Sequence, residues 1–490
     1  MPDPMPDPTP ASPSPSKRPY GLSESAMWAL TTAAIVAVAV TFTRRQLTAL
    51  AAHDAHWAQD LAFFHQIVHN AAAGRAWASS LLLEPTGFFQ MVHFHPMLVG
   101  VVALYTLFPT VNLLAALNVG MTVATAWPLA GLGRAATGSA VFGLASALSW
   151  LLWAPVESAA GADFRPMELV MPGTALVIWG AYVGKPHIWA VGALLCISAR
   201  EEMAYLLTAY GVVLTLSPLP GGRRYGVFTL CIGLAFFVFL LIFKDNFFFH
   251  FDPTKPSIGS PPPPELADAR LEWLTQTWLG SYALLPAGLS PLLCSLAPLA
   301  YLWTDASREW QLPTGPYVHL RAPFLALWAC GGVLGAAWAA RSWPRTLPLL
   351  CSCLILGNAL TLPDDRAALT RRAEAQQETL ADPAHAARLA LLARVGPEDR
   401  VGTDYTLIAA LSGREVIWQV RHLYLEDTKP PHWTAEWPVT LDRLDTLVVT
   451  PDDPVLRHVD DAWTKEAEGG GYTLWRRTRP PDGGFPAPLP

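Results

Sequence analysis

VFTLCIGLAFFVFLLIF, residues Val227–Phe243, runs without one charged side chain. A bilayer core of about 30 Å takes roughly 20 helical residues, fewer where neighbouring helices shield the ends. Helix is also the form in which a lone segment pairs its own backbone groups in lipid. Comparable runs recur at Met27–Phe42, Val111–Leu129, Ala140–Trp153, Leu169–Val183, Ile188–Ser198, Ala204–Leu216, Ala322–Ala340 and Leu347–Leu362. Weaker ones lie at Met97–Phe108, Trp278–Leu289 and Leu292–Trp303. Together they predict an all-α polytopic membrane protein with about eleven transmembrane helices. Composition agrees: 52% of residues are hydrophobic and 15% charged, against about 25% charged in a soluble domain.

The chain divides into three parts. Residues 1–25 begin MPDPMPDPTPASPSPSKRPY, a Pro/Ser-rich tail expected to be disordered, without a signal-peptide cleavage site. Residues 26–362 form the expected bundle, with long loops at 44–95 and 244–272. Residues 363–490 are hydrophilic and predict a small soluble α/β domain. Its helix covers Arg366–Arg394, and its strands cover Arg400–Gly402, Glu415–Gln419, Thr446–Thr450 and Tyr472–Arg476. All six cysteines lie in apolar runs and read as small core residues, not disulfides or zinc ligands. A net charge of −6 and the lack of a basic stripe argue against a nucleic-acid partner. Lys17 and Arg18 favour a cytoplasmic N-terminus, and Arg44 and Arg45 pull the other way.

Polar chemistry collects at span ends. The stretch from His53 to Pro96 holds His53, Asp54, His56, Asp60, His65, His69, His93 and His95. Solubility alone needs no such density of His and Asp, which points to metal binding or proton transfer. Asp163-Phe-Arg-Pro-Met-Glu168 sits between two spans. Arg200-Glu-Glu202 sits between two more with almost no polar padding. Charges at that depth cost a few kcal/mol each, so they pair or line a wet cavity. The loop at 244–272, with its aromatics and four consecutive prolines, reads as a connector or as a lid.

The order of these motifs carries a resemblance. Asp60-Leu-Ala-Phe-Phe-His-Gln66, then Gly74, His93-Phe-His-Pro96, Asp163-Phe-Arg-Pro-Met-Glu168 and Arg200-Glu-Glu202 resemble the membrane-protein family catalogued as domain of unknown function 2079. That family carries Asp-Leu-Gly-x-x-x-Gln, His-Phe-Ser-Pro, Asp-Phe-His-Pro and Lys-Glu-Asp in this order. Leu411–Trp418 and Leu444–Val449 resemble its later segments. The family is grouped with the glycosyltransferase-C superfamily, polytopic enzymes that take a sugar from a polyprenyl-phosphate carrier at the outer face of the membrane. The resemblance implies the same bundle, Asp60 as the acidic residue of the first external loop, and a place in a bacterial inner membrane with the C-terminal domain outside. Three departures stand out: His95 replaces Ser, Arg165 replaces His, and Arg200-Glu-Glu replaces Lys-Glu-Asp.

Sugar transfer needs a carboxylate to take or orient the acceptor proton. It also needs cations or a metal to stabilise the departing phosphate. Asp60 and Asp163 are the candidate catalytic carboxylates. Gln66, Arg165, Glu168, Arg200, Glu201 and Glu202 are candidate substrate-binding residues. His93 and His95, with His65 and His69 at helical spacing, are candidate ligands for a divalent metal ion. If every apolar run crossed once, Asp60 and Asp163 would face opposite sides. A shared site therefore requires a run that does not cross, and Met97–Phe108, bounded by Pro96 and Pro109, suits best. Two other readings stand beside the glycosyltransferase: a non-catalytic subunit or scaffold of a membrane complex, and a transporter, for which no internal repeat is visible.

Overall fold

The computed structural model describes residues 22–247 apart from 54–57, 82–88, 91–93 and 218. It also describes residues 322–478 apart from 348, 350, 353, 354, 356–362, 421, 422 and 424–440. Most of the N-terminal tail, nearly all of the 244–272 loop, the runs at 278–289 and 292–303, and His93 lie outside the described residues. So does much of Leu347–Leu362.

Eleven helices precede residue 248 among the described residues. They are α1 (Glu24–Ala51), α2 (Ala58–Ala72), α3 (Leu98–Tyr105), α4 (Val111–Ala124), α5 (Ala126–Thr137), α6 (Ala140–Leu151), α7 (Ala154–Ala160), α8 (Val170–Val183), α9 (Pro186–Ala199), α10 (Met203–Leu216) and α11 (Gly222–Phe247). Four helical segments are long and apolar enough to cross a membrane: Glu24–Ala51, Val111–Thr137, Pro166–Val183 and Gly222–Phe243. Shorter apolar helices cover Ala140–Leu151, Pro186–Ala199 and Met203–Leu216. Exposed Leu30, Val36 and Val40 on α1, and Leu234, Val238 and Ile242 on α11, give these helices the apolar outer faces that lipid accepts and water does not.

Local sequence explains the breaks. Pro128 lacks an amide proton and its ring crowds the carbonyl four residues back, at Ala124, where α4 gives way to α5. Pro155 opens α7 after α6 has ended. Gly184 closes α8 at φ 69°, a conformation glycine adopts without cost. Small residues then let helices approach closely. Gly173 and Gly192 join α8 to α9, and Gly211, Gly226 and Gly233 join α10 to α11.

Contacts between the helix ends define two faces. At one, Glu24 pairs with Arg134 at 2.5 Å, Trp28 packs on Trp179, and the Tyr225 hydroxyl donates to the Gly184 carbonyl. At the other, Arg45 pairs with Glu157, and the Gln46 amide donates to the carbonyls of Ala160 and Ala162. Helix α3, eight residues long, rises only about 12 Å and cannot cross a 30 Å core. The chain then runs away from α2 through α4 and α5 and returns through α6 and α7, which brings Asp163 back beside α2. A second round trip through α8 and α9 delivers Arg200 to the same face.

The C-terminal residues place α12 (Ala322–Ser342) against the bundle and α13 (Pro363–Ala381) beside α1. Then follow α14 (Pro383–Leu392) and a five-stranded sheet. Numbered after the two-residue pair β1 (Trp77–Ala78) and β2 (Phe89–Gln90), its strands are β3 (Val401–Thr403), β4 (Ile417–Gln419), β5 (Thr446–Val449), β6 (Trp463–Gly469) and β7 (Tyr472–Arg477). Their spatial order is β4-β3-β5-β7-β6, with β4, β3 and β5 parallel and β7 antiparallel to both neighbours. The four strands expected from the sequence are among these, and β6 is additional. Ile408–Leu411 forms a short helix, α15, between β3 and β4.

Candidate functional site

Asp60 lies in the first turn of α2, and the Asp163 loop comes up beside it. The Arg165 guanidinium binds the Asp60 carboxylate through Nη2 at 2.5 Å and Nε at 2.6 Å. Arg165 is buried while the Asp60 side chain is 43% exposed, so the pair has one wet side. Asp163 Oδ2 accepts from the Leu61 amide at 3.3 Å. Asp60, Asp163 and Arg165 therefore form one group. Burial holds the Asp163 carboxyl well above the usual carboxylate range, and the Asp60 charge adds to this. Arg165 and the amides of Leu61 and Asp60 oppose the shift. Two neighbouring carboxyls are thus held in different environments, the arrangement that divides acid from base roles.

Behind the pair, Glu168 is fully buried and neither carboxyl oxygen has a hydrogen-bond partner. Arg165 Nη1 is likewise buried and unpartnered. A buried polar group left unpaired costs about 1–3 kcal/mol. Such orphans mark places where a ligand or water completes the set.

The second group stands next to the first. Arg200 ends α9 in extended conformation, and its Nε meets Glu202 at 2.6 Å. Fully buried Glu201 accepts from the Phe94 amide at 2.8 Å. His95 Nδ1 donates to the Ala199 carbonyl at 2.5 Å, and the Met97 amide donates to Ser198 at 3.0 Å. The His-Phe-His-Pro and Arg-Glu-Glu motifs thus dock on one another. Phe64 connects the groups, with its ring 5.3 Å from His95 and 5.7 Å from Phe164. Helix α9 also packs on the turn Pro166–Leu169 that carries Glu168.

Two further candidates from the sequence stand elsewhere. Gln66 is fully buried on the far side of α2, where its amide donates to Ser80 Oγ and the Glu415 carbonyl and accepts from Ser79 Oγ. It fastens α2 to the C-terminal sheet and does not join the Asp60 group. His65 meets Ser412 Oγ at 2.7 Å through Nδ1 and the Tyr105 hydroxyl at 2.9 Å through Nε2. Ser412 already donates to the Ala409 carbonyl, so His65 Nδ1 carries the proton and Nε2 accepts from Tyr105. Both nitrogens are committed, which corrects the expectation that His65 serves a metal. Burial lowers its pKa to about 3, and the ring stays neutral. Among the described residues no group of three or more His, Cys, Asp or Glu side chains is placed to hold a metal ion.

Asn118 was missed in the sequence. Its Oδ1 accepts from the Arg165 amide at 3.4 Å, and its Nδ2 donates to Ala159 and Ala162. An amide in the middle of the apolar run Val111–Leu129, well inside the one at Asn112, was the available signal.

The architecture resembles solved structures of ArnT from Cupriavidus metallidurans. The form bound to undecaprenyl phosphate is similar with a TM-score of 0.57 and 14% identity, over 90% of this chain and 97% of that one. The apo form gives 0.53 and 15%, over 92% and 98%. At such identity the likeness establishes the fold alone. No curated protein sequence matches the chain. Residues 57–247, which carry Asp60, Asp163, Arg165 and Arg200, match the family described as "Predicted membrane protein (DUF2079)", the family that the motifs resemble.

Proposed function

We propose that this protein is a membrane glycosyltransferase that takes a sugar from a polyprenyl-phosphate carrier at the outer membrane face. The observation that carries the reading is the junction of Asp60, Asp163 and Arg165 at one end of the helices, with unpartnered Arg165 Nη1 and Glu168 behind it. The ArnT structure bound to undecaprenyl phosphate supports a lipid phosphate as partner.

In this reading the acceptor hydroxyl oxygen attacks the anomeric carbon of the donor sugar. The carbon–oxygen bond to phosphate breaks, and polyprenyl phosphate leaves with the electron pair. The hydroxyl proton passes to Asp60, assisted by Asp163. Arg165, with Arg200 nearby, carries the charge on the phosphate, a task for which a planar guanidinium suits. The ion pair gives an order of events. While Arg165 grips Asp60, the carboxylate is occupied, and a phosphate arriving on Arg165 competes for the guanidinium and frees it. A divalent ion at His93 and His95 is a further element of the proposal, and it would add positive charge for the same phosphate.

The same ion pair favours a second reading. A carboxylate locked to a cation also suits a non-catalytic subunit that kept the fold and serves a membrane complex. Transfer from a polyprenyl-phosphate sugar by the purified chain, with and without Asp60→Asn, separates the two. Inactivity of the wild type with every lipid-linked donor favours the subunit.

A further inference from the structure

Two histidines meet where the bundle joins the C-terminal residues. His53 follows the end of α1, and His385 lies in the first turn of α14. Their ring centroids are 5.3 Å apart, with the planes tilted by 48°. His385 is buried and His53 half-buried, and the Nδ1 atom of each is buried without a hydrogen-bond partner. A buried polar atom left unpaired is costly, and here two stand side by side. His53 adds strain. Its φ of 51° is the one positive value at a non-glycine residue among the described residues. Strained positions of this kind cluster at functional sites.

The surroundings decide which ligand suits. Burial lowers the His53 pKa to about 4, and Arg388 and His385 add to the effect. The ring is therefore neutral at pH 7 and keeps a lone pair, the state in which imidazole binds metal. Two imidazole nitrogens about 2.0–2.1 Å from one tetrahedral ion bring their ring centroids to about 5 Å, close to the spacing of this pair. A polyatomic anion does not fit between rings so close. Hard cations such as Mg²⁺ and Ca²⁺ prefer oxygen ligands. No third His, Cys, Asp or Glu joins the pair among the described residues, so water completes the coordination on the half-buried side. Arg388, one turn beyond His385, is held by the Gly470 carbonyl at 3.2 Å and by the Tyr472 ring at 5.1 Å. Its charge opposes a cation at His53 and so sets a moderate affinity.

We infer that His53 and His385 hold a divalent transition-metal ion of the imidazole-binding kind, such as Zn²⁺ or Cu²⁺, and that the ion ties the end of α1 to the C-terminal domain. This ion is separate from one at His93 and His95, and no step of the sugar transfer depends on it.

The test titrates the full-length chain, without a histidine tag, stripped of metal and held in nanodiscs, with Zn²⁺ as probe. The wild type is expected to melt higher as Zn²⁺ rises, and Mg²⁺ to bind at least about tenfold more weakly. His385→Gln removes one ligand. His53→Asn removes the other with a residue that accepts positive φ. Each is expected to weaken Zn²⁺ binding about tenfold or more. Arg388→Gln alters neither ligand and is expected to tighten Zn²⁺ binding severalfold, because the opposing charge is gone. Cu²⁺ bound to the wild type is expected to show coupling to two imidazole nitrogens by electron paramagnetic resonance. Zn²⁺ binding unchanged in both histidine variants gives the ion to other histidines and overturns the site. Mg²⁺ binding as tightly as Zn²⁺ overturns the class of ion. If a histidine variant fails to fold, two measurements still decide. Weaker Zn²⁺ binding by Arg388→Gln, or a Cu²⁺ spectrum without nitrogen coupling, overturns the assignment.

Discussion

Asp60 and Arg165 are 105 positions apart in the chain and share a two-point ion pair, at 2.5 Å and 2.6 Å. Helix α2 brings the acid and the turn before α8 brings the cation. The excursion between them runs out through α4 and α5 and comes back through α6 and α7. This chain therefore holds its candidate base with a guanidinium.

Arg165→Ala is expected to lower transfer about 100-fold, the scale of two or more lost charge-assisted hydrogen bonds. Arg165→Lys keeps the charge but loses the planar fork, and should fall between wild type and Arg165→Ala. Initial rates with a polyprenyl-phosphate sugar check both. Equal rates in all three proteins would remove Arg165 from the phosphate.

His65 makes stability depend on pH. Its folded pKa of about 3 lies below the ordinary 6.5 of an exposed imidazole. Between these values the unfolded chain binds more protons, so stability is full above pH 6.5 and falls as the pH drops through this window. From pH 7 to pH 5 the loss should approach about 2 kcal/mol. His65→Gln should melt lower than wild type at pH 7 and show a shallower fall toward pH 5. An unchanged slope would place the sensitivity elsewhere, with His53, whose pKa is also lowered, to about 4, as the next suspect.

Asp163 works in the opposite sense. Its raised pKa means the folded state holds the proton more tightly, so stability declines as pH rises from the ordinary carboxyl value through the folded one. Asp163→Asn has no charge to bury. Its melting temperature should vary less than that of wild type across this range, while transfer drops. Identical melting profiles would show that Asp163 is not buried as described.

The site motifs were legible because the expensive charges stand out against apolar sequence. Asp163, Arg165, Arg200 and Glu202 each break a hydrophobic run, and each is found paired or buried near the same face. The short α3 was legible from Pro96 and Pro109. Gln66 and His65 were misread for a different reason. Helical spacing identifies a face of α2 but not what covers it, and the cover comes from Ser412 and Glu415, more than 300 positions away. Span limits also moved. Val111–Leu129 continues past the Pro128 break to Thr137, and Val227–Phe243 is the centre of a helix that begins at Gly222.

His95→Ala should cost about 1–3 kcal/mol of stability, because it removes the hydrogen bond to Ala199 and the ring packed on Phe64. His95→Ser supplies a hydroxyl without the ring, and should recover only part of the loss. Thermal melting in detergent measures both. A variant as stable as wild type would show that the docking of residues 94–97 on residues 198–201 does not depend on this side chain.

The central claim is that Asp60 is the base of a sugar transfer, and one comparison tests it most directly. Asp60 is at the start of α2 and partly exposed, so Asp60→Asn keeps the shape and should leave folding intact. Transfer of sugar from a polyprenyl-phosphate donor is measured for both proteins, with melting as the control for folding. The expected result is full loss of transfer in a variant that melts within a few degrees of wild type. Undiminished transfer by Asp60→Asn would contradict the assignment and move the base to Asp163.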